Sequence, residues 1–198
     1  SVHGGGIFVS SFHQSNVQIS SSTFEKNEAG YGGALTVWKC HDFQLQISTS
    51  RFLSNKAYDD GGAIGIQSSS GSFSFLGLEF RLNRGYDGGA VVIGHSSGSF
   101  NFQKTELGLN KANRRGGAIS IWSSSGNLTF LDSEFKSNKA GNRGGAIDSA
   151  FSSTRVSFQK SEFKLNKVTD AKGSGGAVSI FGLSGLLEFL DSHFLRNQ

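Results

Sequence analysis

Residues 116–140 read GGAISIWSSSGNLTFLDSEFKSNKA. A doubled glycine opens the stretch, two apolar alternations follow (Ile119/Ile121 and Leu128/Phe130), and Phe135-x-x-Asn138 closes it. Alternation with period two marks a strand with one buried face. The same phrase recurs along the whole chain. Its doubled glycine begins at Gly4, Gly32, Gly61, Gly88, Gly116, Gly144 and Gly175, and the closing tetrapeptide follows 19 or 20 residues later as FEKN, FLSN, FRLN, LGLN, FKSN, FKLN and FLRN. Seven copies fill 198 residues at a period of roughly 28.

Aligning the copies assigns a role to each position. The first alternation comes two residues beyond the glycines, a Ser/Gly turn follows (SSSG at 68–71 and 123–126), and then a second alternation. A third segment carries the motif aromatic: Phe24, Phe52, Phe80, Phe135, Phe163 and Phe194, with Leu107 in the remaining copy. Three short strands cannot close a core inside one copy, but stacked in parallel they bury their faces against the neighbouring copies. Parallel crossovers are overwhelmingly right-handed. The pattern therefore predicts an all-β, right-handed parallel β-helix (solenoid) of about seven coils, three strands each. It forms a single domain over 1–198, with coils at 4–31, 32–60, 61–87, 88–115, 116–143, 144–174 and 175–198. A propeller blade needs about 40 residues and four strands, which this period does not supply. The motif asparagines, Asn27, Asn55, Asn83, Asn110, Asn138, Asn166 and Asn197, are expected to stack as a hydrogen-bonded ladder at one turn.

Composition agrees. There is no Pro, which suits a chain made of ladder-forming strands. Cys40 is the single cysteine, so no internal disulfide forms. A net charge of +4 makes no case for nucleic acid, and no apolar run reaches the roughly 18 residues of a membrane span.

GGA followed by Ile, Leu or Val, in fixed register with FxxN, resembles the repeat signature of the chlamydial polymorphic outer-membrane proteins. The resemblance runs the length of the chain, with six GGA copies and one GGG, six FxxN copies and one LGLN. It implies a β-helical passenger region on a cell surface, generally adhesive, with no catalytic residues to carry over.

The residues themselves offer several places for chemistry. An active site needs acids converging on one outer face. The outward file of the first strand reads Phe8, Thr36, Gly65, Val92, Ser120, Asp148, Ser179, and that of the second Gln18, Gln46, Ser74, Asn101, Thr129, Ser157, Glu188. Each holds one acid, and the five histidines do not converge, so no catalytic residue, cofactor site or firm metal site emerges. Asp59, Asp60 and Asp87 precede the glycines of neighbouring coils and are the candidate calcium ligands. Ion pairing of Asp87 with Arg115 and Arg143 in the same file is the competing explanation. A glutamate file, Glu79, Glu106, Glu134 and Glu162, lies two residues before Arg81, Lys136 and Lys164 and reads as a solvated charge lattice. Beyond the asparagines runs a basic file, Lys56, Arg84, Lys111, Lys139 and Lys167, suited to an acidic polysaccharide or simply to solvent. Asn127-Leu-Thr129 is the one glycosylation sequon, placed at the turn before the second strand.

Together these residues predict a non-enzymatic extracellular or cell-surface solenoid, a structural or adhesive rod without cofactor. Its expected partners are further copies stacked end to end, other surface or matrix proteins, or an acidic polysaccharide; nucleic acid is not among them. The alternative is a carbohydrate-active enzyme of pectate-lyase-like architecture. The apolar end rungs, the absent transmembrane segment and the lack of a capping element make a longer chain or an assembly the expected context.

Overall fold

A computed structural model describes residues 3–151 and 153–198. All regular structure in it is β, wound as a solenoid of parallel strands. The first sheet stacks seven strands from Ile7–Ser10 to Val178–Phe181, the second seven from Asn16–Ser20 to Leu187–Leu190, and the third seven from Thr23–Glu25 to His193–Leu195. A fourth sheet, absent from the sequence expectation, stacks six two-residue strands from Glu28–Ala29 to Lys167–Val168. Periodicity cannot reveal a strand this short, because two residues hold no repeat of an alternation. The second strands are also longer than the alternation implies. Ser125–Leu131 takes in half of the supposed turn at 123–126, and Asn127 stands inside the strand, exposed and in register with Ser99 and Arg155.

Register follows the repeat. Ile64 pairs with Val91, Val91 with Ile119 and Ile119 with Ile147, so like side chains form continuous inward files. Coil length varies in two places: the link between first and second strands is one residue longer in the first two coils, and the larger variation is in the segment between a fourth-sheet strand and the next first-sheet strand. It runs from five residues (86–90) to nine (169–177).

Phenylalanine rings stack along the interior at the strand spacing. Phe24, Phe52 and Phe80 lie 4.9 Å apart, and Phe135, Phe163 and Phe194 4.7 Å apart, all nearly coplanar. A second file runs through Phe102, Phe130, Phe158 and Phe189 and meets the first edge to face, as where Phe130 stands 5.3 Å from Phe135. In the last coil Leu187, Phe189 and Phe194 are 38–46% exposed.

Each corner turns on a left-handed residue, with a second, Gln14 or Asp42, in the longer first-to-second-strand corners of the first two coils. After the third strand it is Lys26, Ser54, Leu82, Leu109, Ser137, Leu165 or Arg196, with φ between 52° and 59°. Such a φ costs a non-glycine residue about 1–2 kcal/mol, and the corner ladders offset it. The asparagine ladder forms as expected. Asn138 Oδ1 accepts from the Asn110 backbone N–H at 3.0 Å, while Asn138 Nδ2 donates to Leu107 O at 2.8 Å and to Asn166 Oδ1 at 3.0 Å. Hydroxyl ladders hold two other corners. Ser69 Oγ accepts from Cys40 N–H, Ser96 Oγ from Ser69 N–H and Ser124 Oγ from Ser96 N–H, at 3.1–3.2 Å. Ser50, Ser133 and Ser192 accept in the same way at 3.0–3.4 Å.

Glycine is required for space as well as for φ at the corner before the first sheet and again at Gly71, Gly98 and Gly126, where the second-sheet strands begin. Gly116 has φ 62°, and a Cβ there would run into Ile119 O. A Cβ on Gly117 would collide with Gly145 O of the next coil and lie 2.7 Å from Lys139 N. The doubled glycine is where successive coils pass backbone to backbone.

Candidate functional site

The segment before the glycines folds across the outside of the first sheet. The file expected to face solvent is therefore covered: Thr36, Val92, Ser120 and Asp148 are at most 1% exposed and Ser179 8%, while Phe8 stays 48% exposed. Thr36 Oγ1 donates to Tyr31 O at 2.7 Å, and the Tyr31 ring occupies the space above Gly65, its hydroxyl donating to Gln67 Oε1 at 3.0 Å. Period two separates inward from outward, but a neighbouring segment decides whether outward means wet.

This covering segment holds a charged network. Asp87, 1% exposed, accepts from Arg114 Nε at 3.0 Å, from Arg114 Nη2 at 2.5 Å and from Arg115 Nη2 at 3.0 Å. Arg115 is the partner expected from the sequence. Arg143, the other expected partner, does not pair with Asp87: it turns to Asp148, with Nε 3.5 Å from Oδ1. Arg114, whose doubling with Arg115 was the available signal, takes its place and lies 5.0 Å from the centre of the Tyr86 ring. Asp60 Oδ1 accepts the Asp87 backbone N–H at 3.0 Å, and burial, with the charge of Asp87, pushes its carboxyl above the usual range. Of the three candidate calcium ligands Asp60 and Asp87 are thus brought into contact, but both oxygens of Asp87 already meet guanidinium donors. No group of three or more metal-ligating side chains exists among the described residues.

Asp148 is the most confined of these acids. Among the described residues neither carboxylate oxygen makes a hydrogen bond of good geometry, although the Ser179 side chain is close enough to favour the ionised form, and Ser120 Oγ and Ser149 Oγ are likewise unpartnered. Burial raises its pKa, against the opposing pull of Arg143 and Arg115. A carboxyl raised in the folded state adds stability that is full below the unfolded-state pKa and is lost as pH rises through the folded-state value. Relative to Asp148→Asn, which cannot ionise, the wild-type chain should therefore gain stability as pH is lowered from neutrality into the carboxylate range. Chemical denaturation of both at a series of pH values reads the difference, and a difference that is flat or of opposite sign refutes the assignment.

The third sheet places Glu79, Glu106, Glu134 and Glu162 in one outer file, with Arg51 directly before Glu79. Arg51 Nε donates to Glu79 Oε2 at 2.7 Å. The expected lattice with Arg81, Lys136 and Lys164 does not form, and Glu106, Glu134 and Glu162 have no ion pair among the described residues. Residues two apart on a strand are about 6.6 Å apart, whereas ladder neighbours are about 4.8 Å apart, so a cation in the same file pairs and one two residues on does not. The histidines do not gather, but His13 and His41 stack with ring centroids 5.3 Å apart.

The fourth sheet turns the basic file into a ridge. Lys56, Arg84, Lys111, Lys139 and Lys167 are register partners in successive coils, while the alternate positions, such as Ala57, Ala112 and Ala140, are buried. Glu28 opens the same file, 3.8 Å from Lys56, and accepts the Tyr58 hydroxyl at 2.7 Å. Arg84, Lys111, Lys139 and Lys167 are exposed and have no ion pair among the described residues. At the strand spacing of about 4.8 Å neighbouring unit charges repel by on the order of 1 kcal/mol in water, so the row favours any partner that brings negative charge along its length.

Among protein families, the chain matches the Chlamydia polymorphic membrane protein repeat over residues 132–150, which span the Phe135-x-x-Asn138 turn and the Gly144–Gly145 corner. The β-solenoid fits that repeat family, and the match points to a surface or outer-membrane β-helix protein. No curated protein matches the chain. Among the described residues no helix is long and apolar enough to cross a membrane.

Proposed function

We propose, from a solenoid that carries the Chlamydia polymorphic membrane protein repeat, that this chain is a non-enzymatic adhesive rod of the cell surface that holds acidic polysaccharide along its fourth-sheet ridge. The carrying observation is the row Arg84, Lys111, Lys139 and Lys167, four exposed cations in register with no ion-paired acid among the described residues. A rigid β ladder spaces the charges without cost at the moment of binding, and a flexible polyanion supplies the complement. Catalysis is not part of this reading. At the covered corner Asp87 is tied to Arg114 and Arg115, and Asp148 to Arg143.

Retention on an immobilised acidic polysaccharide tests it. The wild-type chain should bind at low ionic strength and elute as salt screens the ridge. Lys111→Glu with Lys139→Glu should remove retention, since the four exposed positions then sum to zero charge with two acids at their centre, and leave the melting temperature nearly unchanged. Unchanged retention of that variant would return the row to the role of a soluble edge.

A further inference from the structure

Position 108 is the exception on the outer face of the third sheet. The file there reads Glu25, Leu53, Arg81, Gly108, Lys136, Lys164, Leu195, with a side chain in every coil but one. Neither reason for a glycine applies. Gly108 does not have the positive φ of the corner glycines, and the nearest atom to a Cβ built there is Lys136 O at 3.9 Å, ordinary contact. The missing side chain leaves a cavity of about 260 Å³ over bare backbone.

The walls of this notch are mixed. Glu106 and Glu134 stand in adjacent coils on one side, both without an ion pair or hydrogen bond among the described residues. Arg81 and Lys136, likewise unpaired, close it along the rod axis. Leu109 borders the other side, 43% exposed and held outward by a left-handed φ of 58°. Two acceptor groups, two cationic donors and an apolar edge therefore surround a floor of peptide. A bare cation would meet Arg81 and Lys136, and an anion would meet Glu106 and Glu134. A neutral ligand rich in hydroxyls satisfies both sets, because hydroxyls donate to carboxylates and accept from ammonium and guanidinium groups. The volume lies just under the roughly 300 Å³ of the smallest drug-sized sites, which suits one ring.

We infer that the Gly108 notch is a binding subsite for a single neutral hexopyranose unit of a glycan, with its ring over the Gly108 backbone, its hydroxyls shared among Glu106, Glu134, Arg81 and Lys136, and its C–H face against Leu109. The notch is separate from the basic ridge and does not depend on the ridge binding polyanions.

Amide NMR spectra of the labelled chain, titrated with the methyl glycosides of glucose, galactose, mannose and N-acetylglucosamine, test the assignment. At least one glycoside should shift the signals of Gly108, Leu109 and Ser137 with a dissociation constant in the millimolar range, as befits a single ring with few contacts. Gly108→Arg, which restores the kind of side chain other coils carry in open space, should weaken that binding about tenfold or more and leave melting temperature and polysaccharide retention as they were. Glu106→Gln with Glu134→Gln should weaken it as well without filling the notch. The inference fails if no glycoside moves these signals, if the shifts persist undiminished in Gly108→Arg, or if methylguanidinium moves them and the glycosides do not. That last result would make the notch a receptor for an arginine side chain.

Discussion

Asn138→Leu should lower the free energy of unfolding by about 3 kcal/mol or more, although leucine nearly matches asparagine in size and leaves no cavity. The loss is one of partners. Asn110 N–H and Asn110 Nδ2 lose the oxygen they share, at 3.0 and 3.1 Å, and Leu107 O and Asn166 Oδ1 lose the Asn138 amide. All three ladder asparagines are fully buried, so water cannot replace what is removed. Asn110 Nδ2 keeps Phe80 O and Asn166 Oδ1 keeps the backbone N–H of residue 138, but Asn110 N–H and Leu107 O are backbone groups that cannot turn elsewhere, and each buried group so stranded costs about 1–3 kcal/mol. Asn197→Leu, at the half-buried end of the same ladder, should cost clearly less. Urea denaturation of the two variants beside the wild type measures both. A loss below about 1 kcal/mol for Asn138→Leu would mean that the ladder aligns the coils without holding them.

Phe135→Ala should cost about 3–5 kcal/mol, the usual range for a deleted core aromatic. Its ring is fully buried, stacks 4.7 Å from Phe163 and meets Phe130 edge to face at 5.3 Å. Leu107 is its register partner in the preceding coil, so the interior is already thinnest there, and a backbone held in a ladder on both sides cannot collapse into the space. The comparison is Phe194→Ala: with 46% of that residue exposed, less than half the loss is expected. Equal losses at the two positions would show that ring stacking rather than burial sets the energy.

Much of this architecture was legible because a solenoid repeats its instructions. Coil number, inward files, the phenylalanine stacks and the asparagine ladder all follow from aligning one phrase with itself, since each coil packs only against its neighbours. The basic ridge was legible for the same reason, as a column of the alignment. The serine ladders were not, although their columns were in plain view. A buried serine that accepts a neighbour's N–H looks the same in sequence as a wet turn serine.

What the sequence alone determined is periodic: the parallel stack, its register and the glycine corner where the coils touch. What the tertiary structure alone decided depends on groups out of phase with that period. The variable segment before the glycines covers the first sheet, buries Asp148 and draws Arg114 and Arg115 onto Asp87. The fourth sheet rests on two-residue strands too short to show a pattern. The notch exists because Gly108 lacks a side chain where its neighbours in space, 27 and 28 residues away, have one. Covering, pairing and vacancy are relations between surfaces, and a surface exists only after the chain has wound past itself.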